Sequence, residues 1–389
     1  MRSTHAIRAI ASCRAYGRPV AVRLATDEKG EIVNPEPPVL CFNVRMARHE
    51  ALDGLLKEVS RSFYLTLRFL PGAVRHQISL AYILARATDT IADTGLVSME
   101  RRVYSLREMR LAIADAAEGR PVRIPDLGDL AAAHPSPAVR GSAAERVLLE
   151  SLGRAFDLLH ELSAEDRQRI CDVLQIIIRG QETDLIHFGS ATVEGITALS
   201  CDADLDEYTY CVAGCVGEFW TKMCRAHLFP KATLDDTFLL TSSVRFGKGL
   251  QLVNILRDLP GDLRHGRCYL PKARLAECGL EPSDLLNPAN MTRFQTVYER
   301  YLRMAEDYLA EGWAYTAALP YGQIRVRLAC AWPILIGVKT IAQLRSGNVL
   351  DDRQRIKISR SEIRHLIARS LLRYPFPSTW DCLFDLARK

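Results

Sequence analysis

The chain has 389 residues, 48% of them hydrophobic and 25% charged, with a formal net charge of +5 at pH 7. This supplies apolar material for one large core or two ordinary ones, and the modest, dispersed charge excludes a nucleic-acid-binding tail. No run of about 18 apolar residues is present, which excludes a spanning helix. The eleven cysteines lack a CxxC pair and read as reduced core thiols rather than a zinc site.

Residues 1–45 show no clear periodicity and end in Asn34-Pro35-Glu36-Pro37-Pro38, so they read as a poorly packed extension. Residues 46–375 read as one helical domain and 376–389 as a C-terminal tail. Ser60-Arg61-Ser62-Phe63 has the composition of a hydroxyl-capped helix start, with Arg61 placed to meet an anion. Pro71 opens the next helix, which carries Tyr82-Ile83-Leu84-Ala85-Arg86-Ala87-Thr88-Asp89-Thr90-Ile91-Ala92-Asp93. An amphipathic helix is predicted over 98–118 and a Pro/Gly-rich loop over 120–142. Ser163 with Asp166 marks a capping box opening a helix to about His187. Within it, Gln181, Glu182, Thr183 and Asp184 read as surface polarity, with lining of an acidic cavity as the alternative. Further helices are expected at 204–228, 233–258, 289–318, 320–346 and 360–373. The first of these opens at Tyr208 and contains Gly214 and Gly217, which imply close packing or a substrate wall. No strand alternation or internal repeat is visible, so the expected architecture is all-α.

Two motifs carry the chemistry. Asp89 and Asp93 lie four residues apart, as do Asp258 and Asp262, each pair at the end of an apolar run. Four residues is just over one helical turn, so both carboxylates of a pair share a face. Tyr82 and Arg86 extend the first stripe upstream; Gln251 and Asn254 extend the second. One such pair is usually a hydrated helix face. Two of them, each with an arginine close by (Arg86, Arg257), imply a shared cation, because unpaired carboxylates at an apolar wall are costly. Hard oxygen donors suit Mg²⁺, which completes its shell from water and substrate phosphate.

In order and spacing, SRSFY, YxxxRxxDTxxD, YxYxVAGxVG and QLxNILRDxxxDxxxGRxYLP resemble the squalene/phytoene synthase family over roughly residues 50–345. The resemblance implies a single-domain class I isoprenoid synthase helical bundle with a central cavity. It implies metal ligation by Asp89, Asp93, Asn254, Asp258 and Asp262, with Asp89 and Asp258 central to catalysis. Diphosphate contacts would come from Ser60, Arg61, Arg86 and Arg257, helped by Tyr82, while Tyr208 would assist proton removal as a cyclopropane closes. The segment Cys330–Leu344 followed by Lys357, Ser359 and Arg360 is similar to the region of squalene synthases that contacts NADPH, together with Arg61, Arg86 and Arg257. Ser359 stands where an arginine is usual.

The implied reaction joins two farnesyl diphosphates head to head through presqualene diphosphate, with Mg²⁺, and reduces the product to squalene with NADPH. Dehydrosqualene, hydroxysqualene or phytoene formation stays open. Ala92 and Gly261 replace acidic residues usual in the family, and Pro260 is expected to break or kink its helix and loosen Asp262. With no membrane tail after Arg388-Lys389, unlike many eukaryotic squalene synthases, the expectation is a soluble cytoplasmic or peripheral enzyme drawing greasy substrate from a membrane surface; a monomer and no nucleic-acid partner are expected as well. A terpene cyclase is disfavoured by NILRDxxxD, and an inactive assembly factor by the retention of all four aspartates.

Overall fold

The computed structural model describes residues 12–15, 18–21, 54–59, 64–133, 142–351, 353 and 356–388. The chain divides into two compact units, Met1–Gly54 and Leu55–Lys389. In the first, strands β1 (Ser12–Ala15) and β2 (Arg18–Ala21) pair antiparallel, Ser12 opposite Ala21 and Ala15 opposite Arg18. The sequence carries no alternation strong enough to announce these four-residue strands.

The second unit is helical. Its long elements are α1 (Gly72–Asp93), α2 (Met99–Ala117), α3 (Ala164–Phe188), α4 (Asp202–Thr209), α5 (Cys215–His227), α6 (Asp236–Arg264), α7 (Met291–Ala318), α8 (Ile324–Ser346), α9 (Arg360–Arg373) and α10 (Pro377–Arg388). A two-residue parallel bridge joins β3 (Thr197–Ala198) to β4 (Arg267–Cys268). Pro71 stands at the N-cap of α1, and Ser163 caps α3, its hydroxyl accepting the Asp166 N–H at 3.2 Å. The expected loop over 120–142 contains a short helix, Gly128–Ala132. Among the described residues no helix is long and apolar enough to cross a membrane.

The core forms where α6, α7 and α8 pack together. α6 contributes buried Leu252, Val253, Ile255, Leu256, Leu259 and Leu263; α7 contributes Phe294, Tyr298, Tyr301, Leu302 and Leu309. The apolar positions of α6 therefore face inward, while Asn254 and Asp258 stay exposed. Close approach on the other side of α6 rests on glycine. A Cβ on Gly217 would lie 2.0 Å from the Ser243 carbonyl oxygen, and one on Gly247 would lie 2.3 Å from the Ala213 carbonyl oxygen. Tight helix packing is thus the role of Gly217.

Three boundaries differ from expectation. The helix predicted over 204–228 is interrupted by a π-helical turn, Tyr210–Gly214, where the chain passes close to both α3 and α6. Such single-turn insertions often accompany functional sites. α6 does not stop at Pro260 but runs on to Arg264. Finally, the segment expected as a C-terminal tail carries a helix over Pro377–Arg388: α10 buries Trp380, Leu383, Phe384 and Ala387, and Trp380 stacks on Trp313 at 5.2 Å.

Candidate active site

On α1, Tyr82, Arg86 and Asp89 are half-buried, and Asp93 opens to solvent at the end of the helix. Arg86 holds Glu145 at 2.8 Å and lies 3.9 Å from Asp89. Asp89 accepts a 2.5 Å hydrogen bond from the Gln181 amide of α3. Its side chain keeps 48% of its surface accessible, so a ligand can reach it. The protein mass around it nevertheless displaces bulk water. That burial, with repulsion from Asp93, pushes its pKa to about 6 against the pull of Arg86 and Gln181. Asp93 is raised as well, by burial, despite Arg86, Arg267 and Arg102. Arg102 also donates to the Ala92 carbonyl at 2.7 Å and so supports the helix end that carries Asp93.

On α6, the guanidinium of Arg257 folds onto its neighbour Asp258 through two bonds, 2.9 and 2.5 Å. Asp262 lies one turn further along. Burial first, then repulsion by Asp258, carries its pKa to about 7, while Arg267 and His265 oppose the shift.

Arg267 joins the two sides. It sits on β4, just after Gly266, whose φ of 77° requires a residue without Cβ. Its Nη1 is 3.5 Å from an Asp184 oxygen of α3, and its charge acts on Asp93 and Asp262 as well. The other Asp184 oxygen accepts from the Tyr269 hydroxyl at 2.9 Å. Tyr208 stacks on Tyr269 with 4.7 Å between ring centres. Burial pushes both phenols well up, so both stay protonated. Asp184 itself is raised by burial.

The structure thus brings together Asp89, Asp93, Asp262, Tyr208 and Gln251, with Asp258 beside Asp262. Gln181 and Asp184 belong to this cluster, which corrects their reading as surface polarity; Thr183 remains exposed. Arg267, Tyr269 and Glu145 were not singled out from the sequence. The first two lie in the GRCYLP run that follows the second motif, and that placement was the available signal. Ser60 and Arg61 lie outside the described residues. Lys357 and Arg360 are exposed, and no hydrogen bond or ion pair of either reaches the acidic cluster. Ser359 caps α9: its hydroxyl accepts the Glu362 N–H at 3.2 Å, and the Glu362 carboxylate accepts the Ser359 N–H at 2.9 Å.

Among the described residues no group of three or more acidic, histidine or cysteine side chains forms a ready-made metal cage. The donor set still fits Mg²⁺. It consists of hard oxygens in pairs on two helices that share Arg267, and Mg²⁺ needs only one or two carboxylates when phosphate and water complete its shell. Each pair also carries mutual repulsion, Asp93 on Asp89 and Asp258 on Asp262, that a cation would relieve, and the Gln181 Oε1 beside Asp89 is buried without a donor.

A family model described as squalene/phytoene synthase matches residues 56–362. The bifunctional lycopene cyclase/phytoene synthase of Colletotrichum graminicola is 30% identical over 262 residues, which is 66% of this chain and 40% of that protein. The squalene synthase of Saccharomyces cerevisiae is 25% identical over 288 residues, 74% of this chain and 60% of that one. The chain therefore spans about half the length of these relatives. A ligand complex of TcSQS superposes with a TM-score of 0.67 at 19% identity, covering 88% of this chain and 90% of that one, a likeness of fold.

Proposed function

Because the chain belongs to the squalene/phytoene synthase family, we propose that it condenses two farnesyl diphosphates head to head through presqualene diphosphate and reduces the product to squalene with NADPH. The observation that carries this reading is the convergence of both Asp-x3-Asp motifs on Arg267. Asp93 of α1 and Asp262 of α6 both feel its charge, and Asp89, Gln181 and Asp184 complete the wall.

In this reading Asp89, Asp93, Asn254, Asp258 and Asp262 hold Mg²⁺, which when bound offsets the charge that develops on a departing diphosphate. Arg86 and Arg257 exchange Glu145 and Asp258 for phosphate oxygens, a bidentate match suited to guanidinium. Arg61 is assigned the same role by family pattern. Tyr82, half-buried on the stripe of α1, helps to orient the diphosphate. Closing the cyclopropane releases a proton from carbon. Tyr208 is assigned to assist its removal by family pattern; Tyr269, stacked on Tyr208, donates to Asp184, whose raised pKa suits a nearby proton acceptor. The apolar faces of the helices keep water from the cation. For NADPH, which supplies hydride, Lys357 and Arg360 are the available phosphate contacts, since the Ser359 hydroxyl is committed to its cap.

A second reading, a dehydrosqualene, hydroxysqualene or phytoene synthase without the reductive step, is favoured by one observation. The Glu362 carboxylate occupies the start of α9, where a reductant phosphate would compete with it.

Incubation with labelled farnesyl diphosphate and Mg²⁺, with and without NADPH, followed by product chromatography, separates the two. Squalene formed only with NADPH supports the first reading. A hydroxylated or dehydrogenated C30 product despite NADPH overturns it, as does turnover confined to geranylgeranyl diphosphate.

A further inference from the structure

The second acidic motif has an unusual interior. Between Asp258 and Asp262 stand Leu259, Pro260 and Gly261. Proline has no N–H, so the helical bond from residue 260 to the carbonyl of Leu256 is absent, and the ring crowds that same carbonyl. Leu256 is fully buried. Water cannot easily stand in for the missing donor there, and a buried carbonyl without a partner weakens the fold. Gly261 adds no side chain that could brace the turn, and a Cβ there would touch nothing. By local rules α6 should fray before Asp262.

It continues to Arg264 instead. The donor comes from another helix: the Tyr298 hydroxyl of α7 reaches the Leu256 carbonyl oxygen at 3.1 Å. Tyr298 is itself fully buried, with its ring against Phe294 at 5.3 Å between centres, so its hydroxyl has little freedom to turn elsewhere. Burial drives its pKa well up, and it remains a donor throughout the physiological range.

We propose that Tyr298 is a positioning residue for the second acidic motif: its hydroxyl replaces the backbone bond that Pro260 removes and keeps the last turn of α6, with Asp262, facing Arg267 and α1. The role rests on the reading that Asp262 serves a metal–diphosphate site. Asp258 lies before Pro260 and Asp262 after it, so losing the Tyr298 bond loosens one end of the motif and leaves the other in place.

The test uses four full-length proteins: wild type, Tyr298→Phe, Pro260→Ala and the double variant. Alanine restores the N–H of residue 260, so the backbone can again satisfy Leu256. In urea unfolding, Tyr298→Phe lowers the folded-to-unfolded ratio roughly tenfold in the wild-type background and less than about threefold in the Pro260→Ala background. Calorimetric titration with Mg²⁺ and inorganic pyrophosphate gives the second readout. Tyr298→Phe weakens binding roughly tenfold, and the double variant recovers to within about threefold of wild type. Equal destabilisation in both backgrounds overturns the exchange of one donor for the other. Coupling in stability with unchanged pyrophosphate binding overturns the positioning role. If wild type binds no Mg²⁺–pyrophosphate, the functional reading fails and the positioning role with it, while the unfolding cycle still decides the hydrogen-bond exchange.

Discussion

Replacing Arg267 with methionine keeps much of the side-chain volume and removes the positive charge that faces Asp93, Asp184 and Asp262. At the observed 3.5 Å from Asp184, two unit charges in an effective dielectric of about 20 attract by roughly 5 kcal/mol. Arg267 is 29% exposed and Asp184 14%, so solvent screens part of this. The net loss should fall between that of an exposed pair, at most about 1 kcal/mol, and a buried one, about 3–5 kcal/mol. About 2 kcal/mol is expected. The loss should also depend on pH. Asp262 titrates at 3.8 when unfolded and about 7 when folded, so the folded state holds a proton that the unfolded state has already released. Its contribution to stability is complete below 3.8 and is lost as pH rises through that window. Removing Arg267 raises the folded pKa values of Asp93, Asp184 and Asp262 further. The deficit should therefore be smaller near pH 5, where Asp262 carries its proton in the folded state, and larger near pH 8.5, where it is ionised. Urea unfolding of both proteins at the two pH values measures it, and saturating Mg²⁺ should shrink the deficit at the higher one. An equal deficit at both pH values would refute the picture of Arg267 as the cation holding the two acidic motifs together.

Asp258→Asn should lower turnover by about a thousandfold while leaving the far-ultraviolet circular dichroism unchanged, because it removes an exposed charge that makes no core contact; near-normal rates would remove the metal assignment. Gly217→Ala should destabilise by about 3 kcal/mol, since its methyl would meet the Ser243 carbonyl at 2.0 Å. A change in unfolding midpoint within error would show that α5 and α6 can separate at no cost. Glu306→Ala leaves Arg345 and Arg388, now at 2.9 and 2.6 Å, without their buried partner. A loss of about 2 kcal/mol is expected, accompanied by faster proteolysis within α10; unchanged cleavage there would refute the idea that Arg388 ties down the C-terminal helix.

Spacing alone was enough to align Asp89 with Asp93 and Asp258 with Asp262, because four residues on a helix share a face whatever lies opposite. The Ser163 cap, though not the full reciprocal box, and the extent of α9, Arg360–Arg373, were legible for the same reason: caps and periodicity are local. Other features needed the packed fold. Gln181 and Asp184 look like surface polarity until α3 lies against α1 and β4, and Arg267 reaches Asp184 across 83 positions of chain. Pro260 obeys its local rule only until a distant tyrosine supplies the missing donor. Residues 377–388 are too short to be stably helical alone and become a helix where Trp380 finds Trp313. Periodicity and capping are set by neighbours within about one helical turn. The pairing of charges and the rescue of a broken backbone bond depend on which helices meet, which is settled only when the whole core is buried.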